Sequence, residues 1–161
     1  RSVLGNPRSV HCKSIKHPSV PKLSDARSSI ILEYEKDIRC CLSINHTHDT
    51  DIHGMKHTHA YARVEGLKGA AYIKFGLLLN YPKGEPEEIE ISTDGVEWTK
   101  VNNVGTWFPD AFIGTMSSLQ RFASGEEKEL LHSVDNAYET MALVYACLKS
   151  NETLGTPVEY N

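Results

Sequence analysis

Residues 46 to 59 read HTHDTDIHGMKHTH, which places five of the chain's eight histidines within one short run. His46 and His48 are two apart, so on a strand both imidazoles point to one face. His57 and His59 repeat that spacing. Two facing pairs could supply three or four imidazoles to zinc or iron. The same imidazoles could instead hydrogen-bond a polar substrate, or simply line a polar loop that binds nothing. The residues alone leave all three readings open. Asp49, Asp51 and Gly54 are loop formers.

Trp107 and Asp110 form a second candidate, where a strand region gives way to a helix start. Asp110 in a first helical turn is favourable against the dipole, and Trp107 suits core packing. Both could also help close a ligand pocket. No GxGxxG, GxxxxGK[ST], GxSxG or HExxH motif occurs, so the sequence carries no nucleotide-binding or hydrolase signature of its own. The net charge of −4 and pI near 6.1 show no basic surplus, which argues against a nucleic-acid partner. No apolar run approaches a membrane span, and no basic-then-apolar leader opens the chain. The first residue is Arg1, so the sequence reads as a fragment or a processed product.

The four cysteines, Cys12, Cys40, Cys41 and Cys147, contain no CxxC pair. They read as buried reduced thiols of a cytoplasmic protein. Cys40 and Cys41 are adjacent, so on a strand they face opposite sides. The Asn-x-Thr triplets at Asn45 and Asn151 read as chance.

Alternation and β-branched content mark strands along the first hundred or so residues. They fall at 8–15, 28–34, 38–45, 60–65, 71–79, 88–92 and 97–101. Asp94-Gly95 reads as a tight hairpin turn, and 66–69 as another turn. After Trp107 the period changes. Phe112, Met116, Leu119 and Ala123 recur at helical spacing, and Gly125 fits the stop. Ser133 is a plausible N-cap for a second helix. Its apolar stripe reads as Ala137, Met141, Val144, Tyr145 and Leu148. Residues 157–160 suit a short last strand. Strands grouped before helices predict an α+β fold, one domain over residues 1–161, with a large open and mostly antiparallel sheet and helices on one face.

WFPDAFIGTMSSLQRFASGE and SVDNAYETMALVYACLKSNETLGTPVEY resemble the end of the Gfo/Idh/MocA oxidoreductases (glucose-fructose oxidoreductase, inositol dehydrogenase and relatives). VEGLKGAA at 64–71 is similar to that family's strand junction, and RSVLGNPRSV to the segment that leads into its first sheet strand. The resemblance implies a dihydrodipicolinate-reductase-like C-terminal domain that binds substrate and forms oligomers. The N-terminal Rossmann domain of such an enzyme binds NAD or NADP, and hydride passes to or from a sugar, cyclitol or similar polyol. The family's Glu-Lys-Pro motif and Asp/His pair would precede Arg1. The resemblance therefore implies no catalytic residue, no cofactor and no activity in this chain by itself.

It further implies that Lys56, His57 and His59 approach substrate hydroxyls. His46 and His48 join them by proximity, and Trp107 and Asp110 by their place beside the pocket. A second copy of the chain is expected on the open sheet face. A stand-alone metal module on the 46–59 loop, or a non-catalytic interaction domain, are the competing expectations.

Overall fold

A computed structural model describes residues 1, 3–16, 22, 27–45, 60–76, 86–103, 105, 110–130, 132–153 and 155. The chain divides into two compact units, residues 1–52 with 132–161 and residues 53–131. The α+β class and the antiparallel pairing expected from the sequence are found. Among the described residues seven strands are shared between two sheets.

The first unit holds β1 (Ser9–Ile15), β2 (Arg27–Glu33) and β3 (Arg39–Asn45), paired antiparallel in that order. The register sets His11 opposite Ile31 and Ile31 opposite Cys41. Strand side chains alternate between faces. One face therefore carries Val10, Cys12, Ile30, Leu32, Cys40 and Leu42, and the other His11, Lys13, Ser29, Ile31, Cys41 and Ser43. Cys12 and Leu32 on the first face are each only 5% exposed. Burying the Leu32 side chain is worth roughly 2 kcal/mol. Between β2 and β3 the backbone turns through positive φ at Lys36 (61°) and Asp37 (60°). Asp tolerates that region and Lys does not favour it.

Helix α2 (Val134–Asn151) packs on β1. Ser133 caps it as expected, its hydroxyl accepting from the Asn136 N–H at 3.2 Å. The face it turns to the sheet differs from the expected stripe. The half-buried positions are Leu143, Ala146, Cys147, Ser150 and Asn151, spaced as one side of a helix. Met141, Val144, Tyr145 and Leu148 are exposed instead, Tyr145 at 69%. The physical reason lies in β1, which is an edge strand with unpaired N–H groups. Cys12 N–H donates to Ser150 Oγ at 2.9 Å, and Ser14 N–H to Asn151 Oδ1 at 2.8 Å. A hydroxyl and an amide satisfy these donors, and a methyl group cannot. Asn151 is thus a structural residue. Lys13 Nζ donates to the carbonyls of Asn151 and Thr153, where a cation favours the helix end. Near the other end of α2, Arg1 pairs with Glu139 and donates to Asn136 O and Thr140 Oγ1.

The second unit holds β4 (Tyr61–Gly66), β5 (Gly69–Lys74), β6 (Glu88–Ser92) and β7 (Thr99–Val101), again antiparallel in chain order. β5 is shorter at its end than the sequence implied, and 77–79 lie outside the described residues. One sheet face is apolar, with Ala62, Val64, Ile73, Ile89, Ile91 and Val101. The other carries Tyr61, Arg63, Glu65, Tyr72, Lys74, Glu88, Glu90 and Lys100. On that face Tyr61 and Tyr72 stack with centroids 6.1 Å apart, and the Arg63 guanidinium lies 5.9 Å from the Trp98 ring.

Only Leu67 and Lys68 join β4 to β5, so Gly66 and Gly69 pair with each other inside the ladder. Gly69 has φ of 144°, and a Cβ there would stand 2.3 Å from the Ser92 carbonyl oxygen. The expected tight turn at Asp94-Gly95 is a longer loop, because Ile91 pairs with Thr99. Asp94 explains the widening. Its Oδ1 accepts from Val96 N–H, Glu97 N–H and Ser92 Oγ at 2.9, 2.9 and 3.0 Å. An Asx-type cap of this kind replaces the cross-strand bonds of a two-residue turn.

Helix α1 (Ala111–Ala123) also departs from expectation. Its apolar side chains Phe112, Met116 and Leu119 are exposed rather than laid on a sheet. Its buried residue is Ser118, whose hydroxyl donates to Glu127 Oε2 at 3.0 Å. Arg121 bonds the other oxygen of Glu127 at 2.5 Å. Those two contacts, Arg121 first, hold the Glu127 carboxyl below its ordinary pKa. Gly125, with φ of 80°, ends the helical region as the sequence implied.

Two measurements test this account. Gly69→Ala should cost about 1–3 kcal/mol, the range for a strained backbone position, read as a lower urea midpoint. The backbone N–H bonds to Asp94 hold its carboxyl below the usual aspartate range. A lowered folded pKa means the carboxylate's contribution is present above the unfolded value and lost as pH falls through the folded one. Amide exchange at Val96 and Glu97 should therefore accelerate only below the ordinary aspartate pKa, and Asp94→Asn, which has no carboxyl to protonate, should abolish that acid response.

Candidate functional site

At one end of the first sheet, the register stacks two rows on one face. Lys13, Ser29 and Ser43 form the inner row, and Ile15, Arg27 and Asn45 the outer one. These six residues, with Ser28 and Ile44 from the opposite face, line an open depression of about 410 Å³ at the end of the sheet. The lining holds two cations, three hydroxyls and one amide, and no carboxylate. Two isoleucines supply apolar surface.

Serine hydroxyls and the Asn45 amide can each donate and accept, while Arg27 and Lys13 only donate. Such a lining fits a molecule rich in hydroxyl or oxyanion oxygens. The Lys13 ammonium is drawn toward the last carbonyls of α2, so its stem walls the cavity while its head caps the helix. Below the cavity rim, Ser14 Oγ and Ser28 Oγ share a hydrogen bond of 2.6 Å. This bond ties β1 to β2 one residue from the end of their paired register.

A histidine–carboxylate pair sits farther along the same face. His11 Nε2 lies 3.7 Å from Glu33 Oε2, and Ser9 Oγ donates to the same oxygen at 2.5 Å. The Ser9 hydroxyl first, then His11 and Arg39, hold the Glu33 carboxyl below its ordinary range. Both side chains of the pair are more than half exposed. They form a surface contact, not a shielded proton-transfer couple.

Of the residues singled out by sequence, His46, His48, Lys56, His57, His59 and Trp107 lie outside the described residues. Asp110 belongs to the second unit and precedes α1. Its side chain makes no capping bond to the helix. It packs against Gly105, where an added Cβ would come within 3.1 Å of Asp110 Cβ and Oδ2. No group of three or more His, Cys, Asp or Glu able to hold a metal ion occurs among the described residues. Cys40 and Cys41 face opposite sides as expected, but Cys41 is exposed and only Cys12 is fully buried.

The cavity residues Lys13, Arg27, Ser29, Ser43 and Asn45 had no motif to announce them. Their one sequence signal is a polar residue at every second position on three neighbouring strands.

No family model matches the sequence, and no curated protein matches it. Solved structures do share its fold. The aldose-aldose oxidoreductase of Caulobacter crescentus, complexed with glycerol, superposes with a TM-score of 0.66 at 12% identity. The match covers 91% of this chain and 39% of that one. A Thermotoga maritima protein assigned as an oxidoreductase gives 0.65 at 14% identity, covering 90% and 38%. The chain therefore has the fold of a part of these oxidoreductases, spanning well under half of their length. No described helix is long and apolar enough to cross a membrane.

Proposed function

We propose that this chain is the substrate-binding and oligomerisation part of an oxidoreductase of the Gfo/Idh/MocA type, acting on a sugar, cyclitol or similar polyol. The observation that carries the reading is the shared fold with 39% of an aldose-aldose oxidoreductase. The motif resemblance at Trp107–Glu126 and Ser133–Tyr160 supports it from the sequence side.

The nicotinamide cofactor of such an enzyme supplies the hydride-accepting carbon. Its pyrophosphate needs a glycine turn between a parallel strand and a helix N-terminus. The described strands are all paired antiparallel, and they do not fit that group. The chain's own contribution is to hold the substrate. Ser28, Ser29, Ser43 and Asn45 would bond its hydroxyls, with Arg27 fixing one end and Ile15 and Ile44 offering apolar surface to its carbons.

Self-association is the second part of the proposal. The apolar face of the second sheet leaves Val64, Ile91 and Val101 at least 40% exposed. A second copy related by a two-fold axis would cover like with like.

In the full chain, titration with a polyol such as inositol should shift the amides of Ser28, Ser29, Ser43 and Asn45. Arg27→Ala or Asn45→Ala should weaken binding about tenfold, the value of one good hydrogen bond. Shifts confined to other residues would remove the cavity from the proposal. Light scattering at micromolar concentration should give a dimer or larger, and Val64→Asp with Ile91→Asp should give a monomer. A monomeric parent chain would sink the assembly reading.

A further inference from the structure

Cys12 and Cys147 come from the two stretches of chain that build the first unit. Cys12 is buried on the face of β1 that meets the helix, and Cys147 is half-buried on the matching face of α2. Ser150, one turn beyond Cys147, accepts the Cys12 backbone N–H at 2.9 Å. That bond fixes the register of helix against strand at this residue. Cys147 therefore stands one helical turn before the residue that is bonded to Cys12, on the same side of α2.

We propose that Cys12 and Cys147 are a disulfide-forming pair, a redox-set staple between β1 and α2 that closes the first unit covalently. The oxidant is a low-molecular-weight disulfide of the glutathione class. Cys147, the more accessible of the two, attacks one sulfur of that disulfide as its thiolate. One thiolate leaves, and a mixed disulfide remains on Cys147. The Cys12 thiolate then attacks the Cys147 sulfur, and the second small thiolate leaves. Two protein thiols lose two protons and two electrons, and one small disulfide becomes two thiols.

Burial, and then the neighbouring Cys12, push the Cys147 thiol above its ordinary pKa. Capture should therefore be slow at neutral pH and quicken as pH rises. Cys40 and Cys41 make a built-in comparison. They are neighbours on β3 facing opposite sides, and Cys41 is exposed. Cys41 should take a small thiol and keep it. The staple closes a long loop, and longer loops gain more from cross-linking the unfolded chain.

The test incubates the full, undenatured chain with oxidised glutathione at mildly alkaline pH, quenches with acid and maps the peptides by mass. A linked Cys12–Cys147 peptide is expected, with a melting temperature raised by several degrees and restored by dithiothreitol. Cys147→Ser should lose both effects while Cys41 still takes glutathione. A lasting glutathione adduct on Cys147 with Cys12 free would overturn the proposal. So would linkage of Cys12 to Cys40 or Cys41. Should a Cys12→Ser variant not fold, the peptide map and melting shift of the parent chain decide the matter alone.

Discussion

Everything in the first unit depends on α2 covering the open edge of β1. A small sheet needs a hydrophobic face to bury or a helix packed on it to be stable by itself. Its edge strand leaves backbone donors that invite pairing with another chain. Ser150 and Asn151 take two of those donors, Lys13 caps the helix in return, and Arg1 grips its other half. An unmet buried donor costs about 1–3 kcal/mol, so these few bonds are comparable to a sizeable share of a small unit's stability. They also dictate which side of α2 is hidden. The consequence is an exposed row, Val134, Tyr138, Met141, Tyr145 and Leu148, on the side of the helix away from the sheet.

The cavity inherits its geometry from the same arrangement. Its walls are neighbours across strands, so their spacing follows from register and not from loops. Lys13 belongs to both systems, with its head on the helix end and its stem in the cavity wall. A ligand that drew the ammonium inward would take it from the carbonyls of Asn151 and Thr153.

Much of the fold was legible in the sequence. Period-two alternation marked every strand, Ser133 marked the start of α2 and Gly125 the end of the α1 region. Three features were not legible, each for a physical reason. The Asp94-Gly95 signal implied a tight turn, yet the Asp94 carboxylate collects two backbone donors and opens the loop. The apolar stripe of α2 implied its buried side, yet a strand edge needs oxygens more than methyl groups. The cavity residues are scattered over some thirty positions, from Lys13 to Asn45, and only pairing brings them together. Of the proposed substrate residues, Asp110 can be placed, at the foot of α1 against Gly105. The histidine run lies outside the described residues.

The first unit is also split in the order of synthesis. Its sheet is complete at Asn45, while the helix that shields it begins at Val134. At the usual pace of translation, roughly 5–20 residues per second, the nascent sheet waits on the order of ten seconds before its edge can be covered. Until that helix is made, the N–H groups of Cys12 and Ser14 lack their Ser150 and Asn151 acceptors. The whole of the second unit is made in the same interval. The edge of β1 is therefore the part of this unit whose partners are made last.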